Sequence, residues 1–363
     1  IVVAKLGSST LVGRDGNVRP DVIAQRVDDL ARVMRLGHQP VLVSSGAIAC
    51  GYRPLGFRER PTSLPDLQAA SAVGQGVLYR HYQEAFGRHD VTPAQVLLTS
   101  ADVAGRTTYL NARNTLHRLI DLGAVPVINE NDTTATDELT FGDNDVLAAQ
   151  VAILLGATWL VPLTDRDGLY GVGADGETHL IGDVPPGRSP RSLSLAPLGG
   201  SGLGRGGIAS KIDAAAMAVA AGVTTVIASG ARADAVTAVT RGRVIGTRFR
   251  SSGPREPAFK LWLRNAKPSL GRVTVDDGAV KALRARGTSL LAVGVTGVDG
   301  DFLAGDAVDV VDAGGAAVGK GIVALDHDDL VTVAGLRSRV ITERGLGISP
   351  EVIHRDQFVL ANG

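Results

Sequence analysis

Several short runs of this 363-residue chain carry residue types and spacings suited to chemistry on an anion. Lys5 is followed by Gly7-Ser8-Ser9, a loop whose N–H groups can point at phosphoryl oxygens while the ammonium neutralises them. By position alone, Lys5 reads equally well as a strand-end lysine snorkelling to water. Ser44-Ser45-Gly46-Ala47-Ile48 is a second glycine turn leading into helix, where free N–H groups form an anion site, although many α/β loops share this pattern. Asn129-Glu130-Asn131-Asp132 and Gly142-Asp143-Asn144-Asp145 gather amides and carboxylates around a compact polar ligand. Asp132 and its loop carbonyls suit an α-amino group. Asp143 and Asp145 also fit the plainer roles of N-cap and first-turn acid, and the two kinds of role can coexist.

Gly202-Leu203-Gly204-Arg205-Gly206-Gly207 formally matches G-x-G-x-x-G, but no clear strand precedes it, so the dinucleotide reading fails. It is not a Walker loop either, because Lys211 does not directly follow the required glycine. What remains is a glycine loop opening a helix, with Ser210-Lys211 in its first turn, a suitable seat for phosphates or simply a surface loop. The seven histidines show no metal-ligand spacing. Cys50 has no histidine near it in sequence and reads as a small packed residue, and Trp159 and Trp262 read as packing.

These residues need a scaffold that brings strand ends together. Ile1–Leu6 reads as a buried strand, Asp21 as the cap of a helix running to about Leu36, and Pro40–Ser44 as the next strand, which makes a βαβ opening. The alternation continues with helices over Leu67–Phe86, Ala112–Leu122, Asn144–Leu155, Ile208–Ala221 and Ala233–Arg241. Strands are expected at Gln95–Leu98, Val125–Asn129, Thr158–Leu163 and Thr224–Ala228. The fold class is therefore α/β, a doubly wound and mainly parallel sheet in a three-layer αβα sandwich, whose ligands sit beyond the carboxyl ends of the strands. This domain spans 1–250, and 251–268 has linker character. A small, mostly β domain follows over 269–363, with short strands between glycines and one clear helix at Ala279–Arg286.

Bulk composition narrows the function classes. Lys plus Arg and Asp plus Glu are both 37, a balance that argues against a general nucleic-acid binder. Aromatics are 4%, so Val, Leu, Ile and Ala must fill a core of the parallel-sheet kind. A single cysteine fits a reducing, cytoplasmic setting, and no apolar run reaches the ~18 residues of a membrane span. The chain opens at Ile1 inside an apolar stretch, which implies a short segment before it.

Taken together, Val2–Ser9, Val43–Ile48, Ala72-Val73-Gly74-Gln75, Gln95–Thr99, Leu110–Arg113, Ile128–Asp132, Phe141–Asp145, Leu163-Thr164-Asp165, Gly168-Leu169-Tyr170 and Gly202–Lys211 resemble the glutamate 5-kinases of the amino-acid kinase family. The runs occur in that family's order and cover the first domain. Asp276–Ala279, Gly287–Leu291 and Gly319-Lys320-Gly321 resemble the PUA domain that many bacterial members carry. The resemblance implies ATP-dependent phosphorylation of the γ-carboxylate of glutamate, the first step of proline biosynthesis. Lys5 and Lys211 would neutralise the transferred phosphoryl group, with Asp145 orienting both. Ser45, Gly46, Asn129, Asp132, Asp143 and Asn144 would hold glutamate, and Gly7 and Gly46 would offer N–H groups near the phosphoryl. Lys5, Gly7, Thr164, Asp165, Arg205, Gly206, Gly207, Ile208, Ala209, Ser210 and Lys211 would surround the nucleotide. Mg²⁺ would be held mainly by ATP phosphates and water, with no dedicated protein site.

The resemblance also implies a homo-oligomer, proline as a feedback inhibitor, and hand-off of the labile acyl phosphate to a glutamyl-phosphate reductase. Three features depart from the family pattern: Arg205 stands where Thr is common, the segment after Tyr170 lacks the usual Asp-Pro-Arg-like run, and Pro162 sits inside a strand. Pro162 implies an early strand end or a bulge. Two other readings are another carboxylate, carbamate or nucleotide kinase of the same family, and an RNA-binding or regulatory protein acting through its tail. Asp276, Asp277, Asp299, Asp301, Asp306, Asp309 and Asp312 oppose phosphate attraction in that tail.

Overall fold

A computed structural model describes residues 1–13, 17–99, 102–103, 106–134, 144–173, 175–195, 207–251, 260, 263–264, 267–286 and 288–361. The chain divides into two compact units, Ile1–Arg255 and Glu256–Gly363. Most of the expected linker, and the sequence-level candidates Asp143, Arg205 and Gly206, lie outside the described residues.

In the first unit, runs rich in Val, Leu and Ile become β1 (Val2–Leu6), β2 (Pro40–Ser44), β3 (Pro93–Leu98), β4 (Val125–Glu130) and β5 (Trp159–Thr164). β1, β2 and β4 are buried along their whole length, as strands covered on both faces must be. Three short strands follow, β6 (Tyr170–Val172), β7 (Thr178–Leu180) and β8 (Asp183–Val184), and then β9 (Thr224–Ser229) and β10 (Thr247–Phe249). The large sheet has eight strands in the order β3-β4-β2-β1-β5-β9-β10-β8. All its pairings are parallel except β9 with β10. From β1 the chain goes to β2 on one side and later to β5 on the other. The carboxyl end of β1 is therefore a switch point, where a crevice opens.

Pro162 does not end its strand. β5 stays in register with β1 from Val2↔Trp159 to Leu6↔Leu163, and the expected early end or bulge is absent. On the other side, β5 pairs with β9 at Leu160↔Thr225 and Leu163↔Ala228 with the same offset, and no pairing is recorded between them. The missing N–H of Pro162 is thus accommodated by a gap in one ladder while the strand continues to Thr164.

Helices cover the sheet: α1 (Ser8–Leu11), α2 (Pro20–Arg35), α3 (Ala47–Gly51), α4 (Leu64–Gly87), α5 (Arg106–Asp121), α6 (Asn144–Leu154), α7 (Ile208–Ala220) and α8 (Ala235–Thr240). α2 begins with Pro20 inside the first turn and Arg19 at the N-cap, so Asp21 is a first-turn acid and not the expected cap. α4 starts three residues before the expected point because Ser63 caps it, accepting from Asp66 N at 3.3 Å. α8 is shorter than expected and is capped from outside. The buried Asp29 of α2 accepts from Val236 N at 2.8 Å and Thr237 N at 3.2 Å.

The second unit has its own core, built around Val273, Leu283, Phe302, Val310, Val318 and Val352. Its five-stranded sheet mixes parallel and antiparallel pairs. The single helix expected there, observed at Asp277–Arg286, is joined by two more at His327–Val333 and Ser338–Glu343. Their short apolar spacings resemble strand patterns, which is why periodicity missed them.

Candidate active site

Lys5 is the penultimate residue of β1, Asp145 lies in the first turn of α6, and Lys211 lies in the first turn of α7. These residues, far apart in sequence, meet at one carboxylate. Lys5 Nζ is 2.7 Å from Asp145 Oδ1 and Lys211 Nζ is 2.9 Å from Asp145 Oδ2. Asp145 is 1% exposed and Lys5 5%. Burial pushes the Asp145 carboxyl up, but the charges and hydrogen bonds of Lys5 and Lys211 outweigh it and hold the group below the ordinary carboxylate range. Each carboxylate oxygen of Asp145 is thus paired with a different lysine.

Gly7 caps α1 next to this cluster. A Cβ added there would lie 3.9 Å from Lys5 Nζ, so the loop backbone runs beside the ammonium. Gly46 caps α3 with φ 109°, a left-handed conformation open to glycine at little cost. Ser45 precedes it, and Ser45 N donates to Leu6 O at 3.0 Å, tying the second loop to the end of β1. Thr164 ends β5, adjacent to β1, and Asp165 follows it. Thr164 Oγ1 donates to Asp165 Oδ1 at 3.0 Å, and Thr164 O accepts from Gly230 N at 2.6 Å. Gly207 caps α7 in extended conformation, and Ile208, Ala209, Ser210 and Lys211 form its first turn.

A second polar group lies at the ends of β2, β4 and α6. Asn144 Nδ2 donates to Ser45 Oγ and to Asn129 Oδ1, both at 3.1 Å. Glu130 N donates to Asn129 Oδ1 at 2.9 Å. Asp132, also buried, accepts a short hydrogen bond from Ser71 Oγ. Burial raises the Asp132 carboxyl, partly offset by Ser71 and the charge of Arg60.

The structure also brings in residues that were assigned no role from sequence. Ser71, Gln75, Tyr79 and Tyr82 recur at helical spacing along α4. They bond Asp132, the Asn129–Glu130 segment, Pro93 O and Ser44 respectively. The partners of these residues, more than 50 residues away for Ser71 and Gln75, could not be read from the sequence. Cys50 is buried and its thiol is pushed up to about 12 by burial, which fits a packed residue. Among the described residues, no helix is long and apolar enough to cross a membrane.

The amino acid kinase family matches residues 1–229 and the PUA domain matches residues 271–344. Similar proteins named glutamate 5-kinase span nearly the whole chain. One from Frankia casuarinae is 45% identical over 99% of this chain and 96% of its own length. One from Cutibacterium acnes is 44% identical over 99% of this chain and 91% of its own, and one from Chromobacterium violaceum is 44% identical over 99% and 97%. With the switch-point crevice and the buried two-lysine carboxylate in place, the chain belongs to the amino acid kinase family and, within it, to the glutamate 5-kinases that carry a PUA domain.

Proposed function

We propose that the chain transfers the γ-phosphoryl group of ATP to the side-chain carboxylate of L-glutamate, yielding L-glutamyl 5-phosphate and ADP, the first step of proline biosynthesis. The observation that carries this reading is the Asp145 carboxylate bridged by Lys5 and Lys211 at the end of β1. Bringing a carboxylate to a triphosphate places two anions in contact, so the step needs fixed positive charge more than a proton acceptor. A carboxylate is already ionised near neutral pH. One of its oxygens attacks the γ-phosphorus, the bond to the β–γ bridging oxygen breaks, and the electron pair leaves with ADP. Lys5 and Lys211 meet the charge on the moving phosphoryl group, and Asp145 keeps both ammonium groups aimed. Gly7 and Gly46 supply N–H groups to the phosphoryl oxygens.

Glutamate is held by Ser45, Asn129, Asn144 and Asp132, the last facing its ammonium group. Asp143 is assigned to the same pocket from sequence. The nucleotide lies over Thr164, Asp165 and the start of α7, and Arg205 and Gly206 are assigned to it from sequence. No cluster of three or more metal-ligating side chains occurs among the described residues, and both Asp145 oxygens are engaged by lysine. In this reading Mg²⁺ comes with the nucleotide's phosphates and water, and would screen phosphate charge when bound. Proline, which shares the ammonium and carboxylate of glutamate, would compete near the same pocket. The acyl phosphate is labile and suits hand-off to a reductase, and a homo-oligomer is part of this reading.

A coupled nucleotide assay with glutamate, N-acetylglutamate, aspartate and UMP tests the assignment. Turnover should be confined to glutamate. Turnover with another acceptor and none with glutamate would overturn it.

A further inference from the structure

The donors and acceptors around Asn144 form a directed chain whose polarity is set outside the pocket. Glu130 C=O can only accept, and it faces Gln75 Nε2 at 3.2 Å. Gln75 must therefore turn Oε1 toward Asn129, whose Nδ2 donates to it at 3.1 Å. Independently, Glu130 N–H can only donate, and it faces Asn129 Oδ1. The two backbone anchors agree, so neither side-chain amide is free to flip. Asn129 Oδ1 then requires a donor from Asn144, which spends both Nδ2 protons on Asn129 and Ser45. Two groups are left with a defined sense. The Ser45 hydroxyl accepts from Asn144 and has its own proton to give. Asn144 Oδ1 is buried with no hydrogen-bond partner among the described residues.

We infer that Gln75 is a positioning residue that, together with the Glu130 backbone N–H, fixes the polarity of the acceptor pocket, so that Ser45 donates to a carboxylate and Asn144 accepts from an ammonium group. The inference rests on the proposed reading that Ser45 and Asn144 line the glutamate site. It goes further by explaining why these side chains present one sense and not the other, and it places one of the two determinants on α4. Ser71, one turn earlier on the same face of α4, holds Asp132 in the same manner. The helix is thus a template for the pocket's α-amino end.

Gln75→Met has similar volume and suits a helix, but it can neither accept from Asn129 nor donate to Glu130. It leaves the Asn129 Nδ2 proton buried and unpaired, and removes one of the two restraints on that amide. The readout is the ratio of the competitive Ki of glutarate, which is glutamate without its ammonium group, to the KM of glutamate. Gln75→Met should lower this ratio about tenfold, the scale of one unpaired buried donor, through a raised glutamate KM. The KM for ATP should stay within about twofold on the same reasoning. Gln75→Ala, which admits water, should move the ratio in the same direction and serves if the first variant does not fold. An unchanged ratio, or equal weakening of both ligands, would overturn the inference while leaving the kinase reading intact. A wild-type chain that does not turn over glutamate would remove both.

Discussion

Asp145 is a buried carboxylate whose two oxygens are each taken by a different ammonium group, and this arrangement decides what the lysines can do. Both are aimed before any ligand arrives, so little reorganisation is needed when charge moves onto the phosphoryl group. Lys211→Ala should therefore act on turnover. We expect kcat to fall by about 10²–10³, as for loss of one preorganised transition-state donor. The glutamate KM should change little, because Lys211 acts mainly on charge that develops in the transition state. Steady-state kinetics at saturating ATP checks this. A large rise in KM with kcat intact would make Lys211 a ground-state ligand. At this scale the sequence was most informative. Lys5, Asp145 and Lys211 were legible through their motifs, whereas the roles of Ser71 and of Gln75, the latter within a matching run, were not, because they exist only through the partners α4 meets in space.

At the scale of elements, α4 is held against α3 by two glycines. A Cβ on Gly74 would lie 1.8 Å from Ala47 O, and one on Gly51 would lie 1.8 Å from Ala70 O. The helices touch backbone to backbone, and α3 begins directly after Ser45-Gly46. Gly74→Ala must push α3 away. It should destabilise the protein by about 1–3 kcal/mol despite the better helix propensity of alanine, and raise the glutamate KM by moving the Ser45 loop. Gly76→Ala is the matched control. It lies in the same helix with nothing within 4 Å of the added carbon, and should stabilise by up to about 1 kcal/mol. Thermal melts of the pair decide the matter, since propensity alone predicts the same sign for both. Periodicity located α4 to within three residues and α5 only from Ala112, six residues after its start, and it carried no information about this crossing. Pro162 shows the converse: a local rule against proline in an inner strand gave way to pairing with β1 along the full strand.

At the scale of the whole molecule, each unit encloses its own hydrophobic core. The site residues all belong to the first unit, so ligand binding free energy enters there. With glutamate and a non-hydrolysable ATP analogue at about 100 times their Kd, linkage supplies about 2.7 kcal/mol per site. Hydrogen exchange should show added protection concentrated in β1, β2, β4 and β5, and little change in the strands of Glu256–Gly363. Equal added protection across both units would contradict this assignment.

The sequence by itself determined the α/β alternation, the order of the loops and the clustering of Lys, Asp and Asn at element ends, because burial on two faces and phosphate-binding turns leave local marks in residue type and spacing. It also determined that a second, β-rich unit follows. Only the tertiary structure decided that one carboxylate serves two lysines, that α3 and α4 meet through Gly51 and Gly74, and that Gln75 and the Glu130 backbone together anchor the amides around Asn144. Each of those depends on contacts between residues distant in the chain, and hydrogen-bond direction and close packing are properties of the pair that meets.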